Sequence, residues 1–263
     1  MARFNQVQVD DPYSLDLANV EFVLFDLDGT LVEVDMHAFV PAYLNRLADR
    51  LSFCADPKRI SQVFRQVVTE MVSSHDGCQT MEERLISGLK EYGSIGVADY
   101  HDGLSLFIRH DLAALRPLVK AHPLARDLVE ASLARGWTPV LATNPIFPRA
   151  VIEARLTWGG LADLPFALVT AYETSRYCKP QPGYFSEVMS KLNASPEKAL
   201  MVGNDTFHDL SASQIGIQTC LLTPWRIDRN DQSFSADWEG THADLLALLG
   251  QSVETKPSRP GPN

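Results

Sequence analysis

With 263 residues, 45% of them hydrophobic and 21% charged, the chain has an ordinary globular balance and room for one large domain or a core with a smaller insert. A net charge of −10 argues against broad electrostatic binding to nucleic acid or to an anionic membrane. It leaves a phosphate ligand open, because a lysine and a metal ion can reverse the field inside one cleft.

Cys54, Cys78, Cys178 and Cys220 are scattered without a Cys-x-x-Cys spacing, and they read as reduced thiols of an intracellular protein rather than a zinc site or a disulfide set. No run approaches the ~18 continuous apolar residues of a membrane helix. The start, MARFNQVQVDDPYSLD, lacks the basic then apolar pattern of a signal peptide, so the expected location is cytoplasmic.

Residues 1–19 are polar and read as a surface lead-in. A strand is expected over roughly 20–27, where the apolar run Phe22-Val23-Leu24-Phe25 stops at Asp26 and Asp28. Gly29, next in line, lets the backbone turn sharply and approach a ligand closely. From Glu33 to about Arg116 apolar residues recur at helical spacing and no strand pattern is visible. Phe39, Tyr43, Leu44, Leu47 and Leu51 form one stripe; Ile60, Val63, Phe64, Val67, Val68 and Met71 form another, behind Asp56-Pro57 as a helix start. Thr80 and Glu83 have capping-box spacing ahead of a helix over Met81–Tyr92, and a fourth helix is expected over Val97–Leu115.

Strand and helix then alternate. Strands are expected at Trp137–Ala142, Phe166–Thr170, Ala199–Val202 and Gln218–Leu222, with helices over about 124–133, 147–156, 184–192, 209–215 and 243–249. Residues 223–240 read as a polar loop. This alternation predicts an α/β fold, a Rossmann-like parallel sheet with helices on both faces, interrupted by an all-helical cap. The expected division is a core of 1–32 and 117–252, a cap of 33–116 that hinges near Glu33–Asp35 and Arg116–Ala121, and a disordered tail of 253–263.

In open parallel sheets ligands bind beyond the carboxyl ends of the strands. Four such ends carry polar groups here: Asp26 and Asp28; Thr143 with Asn144; Lys179, just past the third expected strand; and Asp205 with Asp209. Each has a plainer reading alone, as a solvated strand end, a helix-capping acid or a surface lysine. Together, in this order, they supply what phosphoryl transfer needs: a nucleophile, an acid/base, donors for the transferring oxygens and carboxylates for a divalent metal.

Asp26-Leu27-Asp28-Gly29-Thr30, Thr143, Lys179-Pro180 and Gly203-Asn204-Asp205 with Asp209 resemble the four motifs of the haloacid dehalogenase superfamily. The resemblance covers roughly 20–32 and 120–222, and the helical insert after the first strand resembles the phosphoglycolate phosphatase branch. It implies a Mg²⁺-dependent phosphomonoesterase acting on a small phosphorylated metabolite. Asp26 would be the nucleophile that forms an aspartyl-phosphate, and Asp28 the acid/base. Thr143 and Lys179 would hold the transferring phosphoryl group, while Gly29, Thr30 and Asn144 would contact the substrate. Asp26, Asp28, Asp205 and Asp209 would form the metal site, Asp209 acting through water or as a support. One departure is Asn204, standing where many members place Asp directly after Gly. Asp28 speaks against the dehalogenase and phosphonatase branches, which lack a second acid. A sugar-phosphate mutase uses the same acids and stays open, as does, with less weight, an inert phosphate-binding member. A phospho-receiver domain is about half this length and orders its acids differently.

Overall fold

The computed structural model describes residues 15–73, 76–229 and 233–250. The expected disordered tail and most of the polar lead-in lie outside the described residues. Strand β1 (Phe22–Phe25) is an inner strand of a five-stranded, wholly parallel sheet with β4 (Thr138–Leu141), β5 (Ala199–Gly203), β6 (Gln218–Leu222) and β7 (Trp238–Gly240). The order is β4-β1-β5-β6-β7, each neighbouring pair parallel. Alternation along β1 explains its place. Val23 and Phe25 face one apolar cluster with Leu141 and Val202, whereas Leu24 faces a second with Val140 and Met201.

Helices α5 (Ala125–Ala134), α6 (Arg149–Trp158), α7 (Pro182–Lys191) and α8 (His242–Gly250) complete the layers. The fold is therefore α/β with a parallel, Rossmann-like sheet. The chain passes from β1 to β4 on one side and then to β5 on the other, which opens a crevice at the carboxyl end of β1.

Four helices lie between β1 and α5: α1 (Met36–Arg50), α2 (Pro57–Ser73), α3 (Met81–Gly93) and α4 (Val97–His110). Thr80 and Glu83 form the expected capping box. Arg50 pairs with Asp111 at the end of α4, and the chain tightens into a 3₁₀ turn over Leu112–Leu118 instead of continuing one helix to Leu115. The helices rest on the core at several points. Phe39 and Tyr43 pack edge-on against Phe147, and the Met81 and Glu82 amides donate to the Ser175 and Tyr172 carbonyls at 2.8 and 3.0 Å.

Four readings of the sequence need correction. Glu33 and Val34 lie in a short strand, β2 (Val32–Val34), which pairs antiparallel with β3 (Val119–Ala121). Three residues are too few for alternation to be legible. Trp238–Gly240, within the expected polar loop, is the edge strand β7, short for the same reason. Phe166–Thr170 is an irregular outer edge, not a strand: it follows β4 through Ala167 N to Pro139 O at 2.9 Å and Thr170 N to Leu141 O at 3.0 Å, with one bridge at Val169. Leu210–Ile215 is a 3₁₀ helix.

His242 at the start of α8 is buried, stacks on His122 with ring centroids 3.6 Å apart, and its Nε2 donates to the Thr30 carbonyl at 2.8 Å. Burial lowers the pKa of both imidazoles below the usual histidine value. The folded state thus prefers them neutral, and their contribution is present above about pH 6.5 and lost as pH falls below it. Denaturant unfolding at pH 7.5 and pH 5.5 is expected to show stability dropping with acid, and less steeply for His242→Gln. Equal drops in both proteins would remove the pair as the cause.

Candidate active site

The sheet register brings the four motifs together. Phe25 lies between Leu141 and Val202 across the adjacent strands β4, β1 and β5. Asp26 follows one residue past this line, Thr143 two past Leu141, and Asp205 two past the end of β5. All three line one cavity of about 640 Å³, together with Asp28, Gly29, Asn144, Lys179 and Asp209. Thr30 does not. It is fully buried behind the loop, its hydroxyl 3.3 Å from Asn204 Oδ1.

Lys179 is 1% exposed and bridges two carboxylates, Asp26 Oδ1 at 2.9 Å and Asp209 Oδ1 at 2.7 Å. Burial alone would depress its ammonium, but Asp209 and Asp26 outweigh that and hold it above the usual lysine range. Burial pushes the Asp26 carboxyl up to about 7; Lys179 opposes the rise, and Asp209 and Asp28 add to it. Asp209 is fixed from behind, its Oδ2 accepting from the amides of Asn204 and Asp205, both at 2.9 Å. A Cβ at Gly203 would come within 2.2 Å of that oxygen, so glycine is what lets Asp209 tuck under the strand end.

Asp205 is held differently. Burial works against its charge, but Arg229 at 2.6 Å and the amides of His208 and Phe207 prevail and keep its pKa low. Asn144 Oδ1 accepts from the Lys179 amide at 3.2 Å, bracing the lysine's loop rather than capping α6, whose first turn opens at Pro148. The Thr143 carbonyl accepts from Thr170 Oγ1 at 2.7 Å and from Tyr184 Oη at 2.9 Å. Gly29 has φ +85°, and an added Cβ would lie 2.4 Å from Asn204 Nδ2. The departure at Asn204 is thus built into the loop, since the same nitrogen donates to the Trp225 carbonyl at 2.6 Å.

Asp28 reveals a residue that reading the motifs misses. Its Oδ2 pairs with Nη1 of Arg155, a wholly buried guanidinium stacked over Phe147 at 4.6 Å and Phe39 at 5.4 Å. Asp28 Oδ1 is buried without a hydrogen-bond partner among the described residues. A signal for Arg155 did exist. It shares the buried face of α6 with Val151, Ile152 and Leu156, where a charge needs a partner. Arg229 carries no such signal, because its partner Asp205 lies 24 positions away.

The donor set suits a hard divalent cation. Its groups are oxygens only, negative charge crowds Asp26, and one buried carboxylate oxygen lacks a partner. Among the described residues no three carboxylate, imidazole or thiolate side chains already surround a single point, so a cation here would draw on backbone oxygen as well.

A family model described as haloacid dehalogenase-like hydrolase matches residues 20–214. The chain is 26% identical over 218 residues to the probable phosphatase IndB of Dickeya dadantii, covering 82% of this chain and 86% of that one. It is 29% identical over 203 residues to phosphoglycolate phosphatase 1 of Pseudomonas aeruginosa, covering 76% and 68%. Among solved structures it resembles a HAD phosphatase from Thermococcus onnurineus, with a TM-score of 0.55, 20% identity and coverage of 88% and 98%.

Proposed function

The chain belongs to the haloacid dehalogenase-like hydrolase family, and from that premise we propose that it is a Mg²⁺-dependent phosphomonoesterase working through an aspartyl-phosphate on Asp26. The observation that carries this reading is the buried Asp26–Lys179–Asp209 bridge at the mouth of β1, with Asp28 two residues from Asp26. A carboxylate attacking a phosphate dianion meets like-charge repulsion, and a buried ammonium at 2.9 Å is the group that offsets it.

In the first step Asp26 attacks phosphorus, the P–O bond to the leaving group breaks, and protonated Asp28 gives its proton to the departing oxygen. Lys179 and Thr143 hold the phosphoryl oxygens. In the second step ionised Asp28 takes a proton from water as that water attacks phosphorus, releasing inorganic phosphate and restoring Asp26. Asp26, Asp205 and the Asp28 carbonyl would hold Mg²⁺, which when bound supplies positive charge against the phosphate oxygens. Asp209 supports the set by fixing Lys179.

We assign residues 33–116 the role of a cap over this site, because Met36, His37 and Val40 of α1 line the same cavity. The expected substrate is a small phosphorylated metabolite. Phosphate release from a panel of monoesters, with Mg²⁺ and with EDTA, tests the reading: release should require the metal, and release undiminished by EDTA would refute the metal's part in it.

Arg155 positions Asp28 rather than touching substrate. Arg155→Met is expected to lower kcat by about 10- to 100-fold, since acid–base catalysis contributes ~10²–10⁴, while KM shifts little. Arg155→Lys should recover part of the loss. A rise in KM at constant kcat would show a binding role instead.

A further inference from the structure

Beside the phosphoryl-transfer residues the cavity is lined by apolar side chains. Met36, Val40 and Ile146 contribute from one set of elements, and Pro224, Trp225 and Ile227 from the segment after β6. Among the described residues four large apolar side chains are exposed, and two of them, Trp225 at 38% and Ile227 at 41%, are these. An exposed indole beside a catalytic centre is an uncovered apolar surface that a ligand can cover.

The segment is not a loose loop. Ile227 N donates to the Asn204 carbonyl at 2.8 Å, Thr206 N donates to the Ile227 carbonyl at 3.0 Å, and Asn204 Nδ2 holds the Trp225 carbonyl. Trp225 is therefore tied directly to the strand end that carries Asp205. Charge in the cavity points the same way. Each lysine or arginine that lines it already has a carboxylate: Lys179 has Asp26 and Asp209, Arg229 has Asp205, and Arg226 has Asp228 at 2.7 Å and Glu239 at 2.9 Å. Apart from His37 and His208, which also line the cavity, an anionic leaving group would need a cation drawn from one of these pairs. An uncharged flat group needs none.

We infer that Trp225 is the platform for the leaving group, and that the substrate is a phosphate monoester of an uncharged aromatic or heteroaromatic alcohol rather than of a short carboxylic acid. This rests on the phosphatase reading. Stacking on an aromatic face adds to the area it buries, and the increment corresponds to about tenfold in kcat/KM.

The test uses the full chain with Mg²⁺ and three esters: 2-phenylethyl phosphate, butyl phosphate and phosphoglycolate. The first two leave as alcohols of similar acidity, so their ratio reads contact with the ring. The expected result is a preference of about tenfold for the phenylethyl ester over butyl phosphate, with phosphoglycolate poorer still. Trp225→Ala should bring the phenylethyl-to-butyl ratio close to one, and Trp225→Phe should keep most of it. If the esters are hydrolysed through Asp26 but phosphoglycolate is preferred, or the ratio survives Trp225→Ala, the inference is overturned while the phosphatase reading stands. If no ester is hydrolysed, the phosphatase reading fails and calorimetry decides the platform. Tighter binding of 2-phenylethylphosphonate than of propylphosphonate, lost in Trp225→Ala, supports it; equal binding overturns it.

Discussion

Asp26→Asn should lower kcat/KM on the order of 10⁴-fold or more for every ester the protein hydrolyses, the scale on which removal of a covalent nucleophile falls. The amide keeps the size of the carboxyl group but cannot carry the phosphoryl group. The fold should survive. Burial pushes the Asp26 carboxyl up to about 7, so near neutral pH its charge opposes folding, and an amide removes that opposition. Lys179 keeps Asp209 at 2.7 Å as its partner. The variant should therefore melt at or above the wild-type temperature while phosphate release stops. Activity within tenfold of wild type would mean that water, not Asp26, attacks phosphorus.

Lys179→Met should damage both stability and turnover. It removes the cation between two carboxylates at a site only 1% exposed, and breaking a buried pair from one side costs about 3–5 kcal/mol. Turnover should fall ~10²–10³-fold, as when one preorganised donor to a developing charge is lost. The sign of the pH dependence is fixed by Asp26. Its folded pKa is already raised above its unfolded value, and losing the lysine that opposes the rise takes it higher. Protonation then relieves the folded state, so the stability deficit should be largest above pH 7 and shrink as pH falls toward 5. Denaturant unfolding in EDTA across that range checks it. A deficit that does not change with pH would mean lost packing, not unpaired charge.

The sequence is legible where local pattern and position coincide. Phe22–Phe25 stops at Asp26, the later strands stop at Thr143 and Asp205, and a parallel register then carries all of them to one crevice. Leu47, Phe64 and Val67 are buried as the helical stripes imply. What could not be read depends on pairing across long separations or on very short elements. Val32–Val34 and Trp238–Gly240 have three residues each, too few to show a period. Arg155 is 127 positions from Asp28, and only its place on an apolar helix face hints at the pair. Asn204 looks like a departure from a motif until its contacts with Thr30 and Trp225 show it tying together two loops.

The same geometry explains why two acids so close in sequence can do different work. Asp26 faces Lys179 with two further carboxylates nearby, whereas Asp28 is drawn toward a guanidinium held by Phe39 and Phe147. Under the proposed mechanism these two settings suit a nucleophile and an acid/base respectively. Because Phe39 belongs to α1 and Arg155 to α6, the position of Asp28 also depends on how the helical segment sits on the core.

If the phosphoryl group passes through Asp26, chemical trapping should catch it there. The protein would be mixed with its best ester and Mg²⁺, quenched in acid during turnover, and reduced with borohydride, which converts an acyl phosphate to an alcohol. Peptide mass analysis should then find homoserine in place of aspartate at position 26 and at no other aspartate, with none formed when substrate is left out. Unmodified Asp26 in a sample quenched during active turnover, in trials where a known acyl phosphate is trapped, would contradict the account.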